Sequence, residues 1–204
     1  YLANAVYYLE QELRKYNYDS ILCCTGKDYN NKKNYLELLL SKRVDGIILA
    51  GSQFVENTSK HNNDYIINAA KDVPIVLVNG YLDADNIYSV MCNDEEAVYN
   101  ATKLLINNSH RNIVYLYTST SYSGMNKYRG YLKAINEAGI TLPDEFHHLC
   151  GKNISHARDY LTYLYDKGMK FDAVMTSDDS IAAGAVKFAH THGIRIPEDL
   201  EVIG

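Results

Sequence analysis

With 204 residues, 47% of them hydrophobic and 22% charged, the chain has globular composition and enough length for one substantial core or two smaller ones, which excludes a disordered or fibrous protein. The formal net charge is −5 and the Lys and Arg residues are scattered, so no basic face for nucleic acid is present. No apolar run approaches the ~18 residues of a membrane span.

Taken in chain order, Leu2, Val6, Leu9 and Leu13 form one stripe of a helix from about Tyr1 to Tyr16, and the apolar run Ile21 to Cys24 predicts a strand. A second helix over Asn31 to Ser41 carries Leu38, Leu39 and Leu40, and Asp45-Gly46 then turns the chain into the strand Ile47 to Ala50. A helix from Asp64 to Lys71, a break at Pro74 and a strand from Ile75 to Val78 follow. This succession of strand and helix predicts a parallel sheet covered on both faces.

The second half repeats the alternation after an extended run near Tyr88 to Cys92. Helix Glu95 to Ile106 leads to strand Ile113 to Tyr117, and helix Met125 to Ala138 ends at Gly139, placed as a left-handed cap. Strand Phe146 to Leu149, helix Ser155 to Tyr165, strand Ala173 to Thr176 and helix Ser180 to His190 come next. After Gly193 and Pro197 the chain closes on the strand-like Val202-Ile203. The reading is α/β: two Rossmann-like lobes with parallel sheets flanked by helices, residues 1–92 and 93–204, joined near Cys92 to Asp94, with a ligand cleft expected between them.

Motifs for chemistry are sparse. Cys23, Cys24, Cys92 and Cys150 make no C-x-x-C pair and no Cys/His cluster, and read as reduced core thiols. His147, His148, His156, His190 and His192 form no metal set on one helix face and read as solvated. Gly124, Gly151 and Gly193 make no dinucleotide or phosphate-loop pattern, and no Ser sits in a G-x-S-x-G elbow. The expectation is therefore no enzyme, no cofactor and no metal.

In open parallel sheets, ligands bind at the carboxyl ends of the strands. Those positions here are Thr25 to Tyr29, Gly51 to Phe54, Asn79 to Leu82, Thr118 to Lys127, Gly151 to Ser155 and Ser177 to Asp179. They are rich in Ser, Thr, Asn, Asp, Lys and Tyr, side chains that grip a polar solute by hydrogen bonds.

Several segments in order resemble the effector domain of the lactose and galactose repressor (LacI/GalR) family. Tyr35 to Leu49 is similar to the family's stretch from second helix to second strand, and Pro74 to Asn79 to its third strand. Asn93-Asp94-Glu95-Glu96-Ala97 and Ser109-His110-Arg111-Asn112-Ile113 look like its D-N-x-x-A and G-H-R-x-I segments. Gly130 to Ala134 with Glu137 to Ile140 resembles the G-F-x-x-A-L-x-x-A-G-I helix, Ala173 to Ala185 the A-V-F-A-x-N-D-x-x-A-x-G-A segment, and Ile196 to Gly204 the closing signature.

This resemblance implies a periplasmic-binding-protein-like type I domain that binds a sugar or related metabolite. It further implies a cytoplasmic homodimer acting on operator DNA through an N-terminal helix-turn-helix outside these residues. Effector binding would reorient the lobes and alter operator affinity. The chain opens at Tyr1 already in helical pattern and stops at Gly204 directly after a strand, so both ends read as cut, with the first strand of the sheet lying upstream. An extracytoplasmic sugar-binding protein of a transport system is the alternative, since that group shares the lobes; the Pro197-Glu198-Asp199 signature and the Ser109-His110-Arg111 turn favour the regulator.

Carried across residue by residue, the resemblance implies ligand contacts at Asn79, Lys127, Asp178, Tyr1, Cys92, Asn153 and Asp179. Asn79 stands where the family often has Asp, and serves equally well as a turn residue. Lys127 replaces a common Arg and cannot make the planar two-pronged contact. Asp179 is expected to cap the helix beginning at Ser180, leaving Asp178 to face the ligand; if Asp178 and Lys127 face each other across the cleft, they would pair when it is empty or divide a hydroxylated or amine-bearing ligand between them. Tyr1 matches the aromatic after the family's first strand, while Cys92 and Asn153 fall where members place aromatic walls. Tyr29, Tyr81 or Tyr122 is the alternative source of that wall.

Overall fold

A computed structural model describes residues 2–56 and 62–204, which form two compact units, Tyr1–Cys92 and Asn93–Gly204. The first unit contains helix α1 (Leu2–Lys15), α2 (Tyr29–Ser41), strand β1 (Ile47–Ala50), α3 (Asp64–Ala69), β2 (Ile75–Val78) and β3 (Ile87–Val90). Its parallel sheet has the order β1-β2-β3, with Ile47, Ile75 and Ile87 in register. Alternate residues Ile47, Leu49, Ile75 and Leu77 are buried, as are Leu36 of α2 and Tyr65, Ile66 and Ala69 of α3. The β-branched and leucine side chains of these short runs bury one face of the pleat while their backbones complete the ladder.

The expected strand Ile21 to Cys24 does not form: the segment joins neither sheet among the described residues, and Ile21 and Leu22 are 55% and 66% exposed. Apolar character alone makes no strand, since its amide groups need a neighbouring backbone. Helix α1 is amphipathic as expected, yet none of its residues is fully buried.

The second unit runs α4 (Asp94–Asn107), β4 (Ile113–Tyr117), α5 (Tyr122–Glu137), a 3₁₀ turn (Asp144–Phe146), β5 (His147–Leu149), α6 (Ile154–Asp166), β6 (Ala173–Thr176), α7 (Asp179–Thr191) and β7 (Glu201–Ile203). The parallel sheet has the order β5-β4-β6-β7. Central strands β4 and β6 are buried on both faces. Val114, Leu116 and Val174 pack with Leu161, Leu164, Ile181 and Phe188, whereas Ile113, Tyr115 and Met175 pack with Val98, Leu105, Tyr131 and Ile135. Continuous apolar runs are what such doubly covered strands require.

Two glycines set how closely helices approach. A methyl on Gly130 would lie 2.2 Å from the Glu95 carbonyl oxygen, and one on Gly184 would lie 2.6 Å from that of Ile154, so α5 against α4 and α7 against α6 need hydrogen at these positions. Gly139, past the end of α5, has φ +66°, the left-handed cap expected there. At the amino edge of the sheet His110 is clamped between Glu201 (Nε2 to Oε2, 2.7 Å) and Asp172 (Nδ1 to Oδ1, 3.4 Å), while the backbone amides of Arg111 and Asn112 donate to Asp172.

Two expectations about side chains are corrected. Of the four cysteines only Cys150 is buried; Cys24 and Cys92 are exposed, because the segments that hold them are not core strands. The histidines are not uniformly solvated: His147 packs edge-on against Tyr128 and Tyr131, His192 lies tilted against Phe188 and Tyr165, and His148 stacks on Tyr160.

Candidate functional site

The carboxyl edge of the second sheet gathers polar groups from three loops. Past β4, the Thr118 amide donates to Ser177 Oγ (3.0 Å), and the hydroxyls of Ser119 and Ser121 lie 3.0 Å apart. Ser121 caps α5 by accepting from the Gly124 amide, and the Ser123 hydroxyl donates to Asp94. One turn into α5, Lys127 Nζ donates to the Ser177 carbonyl at 2.9 Å, which brings a positive charge to the end of β6. A methyl on Gly124 would lie 2.2 Å from the Ser119 carbonyl oxygen, so the loop folds tightly onto its own helix.

Past β6, Ser177 is buried and Asp178 caps α7, accepting from the Ser180 amide at 3.0 Å and from the Ser180 hydroxyl. Lys152 Nζ stands 3.6 Å from the same carboxylate. Burial acts to raise the Asp178 pKa, but the two Ser180 hydrogen bonds and the Lys152 ammonium outweigh it and hold the carboxyl below its usual range. Past β5, Asn153 caps α6 by accepting from the His156 amide at 3.1 Å. Hydroxyls, two ammonium groups and the Asp178 carboxylate thus lie at the ends of adjacent strands, a set suited to reading hydroxyls or small charged groups.

In the first unit the corresponding edge is built mainly from backbone. The Gly51 amide donates to the Val78 carbonyl (3.0 Å) and the Asn79 amide to the Val90 carbonyl (2.8 Å), extending the ladders past the strand ends. Asn79 has φ +61°, a conformation its short polar side chain tolerates. Buried Lys32 holds the loop after β1 by donating to the Gln53 carbonyl (2.8 Å) and pairing with Glu56. The Tyr65 hydroxyl donates to the Phe54 carbonyl at 2.6 Å.

The residues singled out from sequence therefore divide: Lys127, Asn153, Asp178 and Asp179 lie at the carboxyl edge of the second sheet, Asn79 and Cys92 at that of the first, and Tyr1 lies outside the described residues. Asp178, not Asp179, is the N-cap, because α7 begins one residue earlier than expected; Asp179 is exposed, and a methyl on Gly204 would lie 2.6 Å from its Oδ1. Asp178 and Lys127 belong to one unit, and Asp178 pairs with Lys152 while Lys127 binds a carbonyl. Tyr29 opens α2 with its ring against Tyr65, Tyr122 opens α5, and Tyr81 is 47% exposed. Sequence reasoning flagged the loops holding Lys152 and Ser177 but not those residues, since Lys152 carries no motif and Ser177 fills a variable position of the Ala173 to Ala185 segment. Among the described residues no group of three or more His, Cys, Asp or Glu is arranged to hold a metal ion.

The family model for periplasmic binding proteins and the sugar-binding domain of the LacI family matches residues 1–203. An HTH-type transcriptional regulator of Lachnoclostridium phytofermentans is 46% identical over 100% of this chain and 61% of its own length. The HTH-type transcriptional repressor PurR of Mannheimia succiniciproducens is 28% identical over 100% of this chain and 60% of its own length. The chain thus spans about three fifths of these curated relatives. Among solved structures, a sugar-binding transcriptional regulator of the LacI family from Escherichia coli, complexed with phosphate, superposes with a TM-score of 0.86 at 26% identity, covering 100% of this chain and 72% of the other.

Proposed function

This chain belongs to the family of periplasmic binding proteins and LacI-type sugar-binding domains, and from that premise we propose that it is the effector-sensing part of a transcription regulator. It binds a sugar or similarly polar metabolite at the carboxyl edges of its strands, residues 1–92 and 93–204 acting as the two lobes of one sensor. It does not turn its ligand over. The fold itself, parallel sheets flanked by helices, is the periplasmic-binding-protein-like architecture. Operator DNA is the partner of the whole protein, bound through a helix-turn-helix beyond these residues by a cytoplasmic homodimer, and effector occupancy changes operator affinity because the ligand contacts the two states unequally.

The observation that carries this reading is the cluster of Lys127, Lys152, Asp178 and the surrounding hydroxyls at the ends of β4, β5 and β6. Alignment of regulators with the chain from end to end supports the regulatory role. Asp178 is the residue proposed to meet ligand hydroxyls, with Lys127 and Asn153 beside it and Asn79, Cys92, Tyr1 and Asp179 as further contacts.

A thermal-shift screen of sugars, sugar phosphates and nucleobases tests the proposal. A specific ligand at 100 times its Kd stabilises the folded chain by about 2.7 kcal/mol, and Asp178→Asn weakens that ligand by about tenfold or more. A screen in which every compound leaves the midpoint unmoved, or a hit whose affinity Asp178→Asn does not change, overturns the assignment.

A further inference from the structure

Eight positions apart in sequence, His148 on β5 and His156 in the first turn of α6 bring their Nε2 atoms to 3.5 Å from each other, with the rings at 82°. That separation is at the outer limit for a hydrogen bond. It is close to the roughly 3.4 Å between two imidazole nitrogens that share one tetrahedral ion through ~2.0–2.1 Å bonds. We propose that His148 and His156 form a second ligand site, one that binds a single divalent first-row transition cation such as Zn²⁺, Ni²⁺ or Cu²⁺ through their Nε2 atoms, with water completing the coordination.

Both rings are held in the orientation this requires. His156 Nδ1 is 3.0 Å from the Cys150 carbonyl oxygen, and a carbonyl can only accept, so Nδ1 carries a proton and the neutral ring has its lone pair on Nε2. A backbone carbonyl on the far nitrogen is the usual partner that orients a metal-binding histidine. His148 lies flat on Tyr160, with centroids 3.6 Å apart and planes within 6°, which fixes its ring without using Nε2. Tyr160 is itself anchored, its hydroxyl donating to the Glu145 carbonyl at 2.6 Å. Burial, and then the neighbouring His156, lower the His148 pKa from the ordinary histidine value. His156 is exposed, which leaves an entry path and room for water ligands.

Imidazole donors select late first-row cations over Mg²⁺ or Ca²⁺. Two protein ligands without a third make the site exchangeable rather than structural. An ion there would tie the edge strand to the helix across residues 150–153, the loop that ends in Asn153.

Calorimetric titration of the full chain with Ni²⁺ near pH 7.5, read beside the ring-proton NMR signals, tests the site. One ion per chain is expected, with paramagnetic broadening confined first to His148 and His156. His156→Ala, an exposed position that should leave folding intact, weakens binding at least ~10-fold, and His148→Gln does the same. His190→Ala leaves binding unchanged. Equal affinity in wild type and His156→Ala, or broadening that begins at His190, His192 or the exposed thiols of Cys24 and Cys92, overturns the proposal.

Discussion

Tyr115 is fully buried within a stack formed with Tyr117, Tyr128 and Tyr131, at centroid distances of 4.8 to 5.8 Å, and its hydroxyl meets no hydrogen-bond partner among the described residues. Burial is the main reason its pKa stands well above the ordinary tyrosine value, with Asp94 adding to the effect. Tyr131 differs, because its hydroxyl donates to the Ile113 carbonyl at 2.8 Å. An unsatisfied buried hydroxyl costs about 1–3 kcal/mol, while the ring supplies the packing. Tyr115→Phe should therefore keep or raise stability by about 1 kcal/mol, and Tyr131→Phe should lower it by a similar amount; urea midpoints at constant m decide, and the opposite order would refute the argument. Asp178 shows why single residues were only partly legible in sequence. Two adjacent aspartates are equally good caps on paper, and only the helix start, set by packing, selects one.

Elements were legible where local pattern and tertiary partner agree. The runs Ile113 to Tyr117 and Ala173 to Thr176 form strands at the predicted residues because helices cover both their faces. The run Ile21 to Cys24 has equal apolar character and joins neither sheet among the described residues, since its neighbour is a property of the sheet rather than of the run. The meeting of β5 with α6 that joins His148 to His156 is likewise invisible to a search for helical spacing. Between α4 and α5 the controlling feature is Gly130, whose α-hydrogen faces the Glu95 carbonyl. Gly130→Ala should force the helices apart and cost about 1–3 kcal/mol by overpacking, despite alanine's better helix propensity. A chemical-denaturation midpoint equal to or above wild type would show that the helices yield freely.

At the scale of the whole molecule, the two units differ in how completely they bury themselves. The second encloses both faces of a four-stranded sheet, with Val114, Leu116, Leu161, Val174 and Phe188 at 0% exposure. The first has a three-stranded sheet and a leading helix without a buried residue. Hydrogen exchange should accordingly show the β4 and β6 amides protected to higher opening free energy than those of β1 and β2. Equal protection across both sheets would contradict this. In the first unit β1 and β3 end the sheet, and among the described residues no further strand covers either flank. Edge strands are adhesive in general, because their outward backbone donors and acceptors can pair with another extended polypeptide. At high concentration the chain should self-associate through such edges, and light scattering across a dilution series reads whether it does.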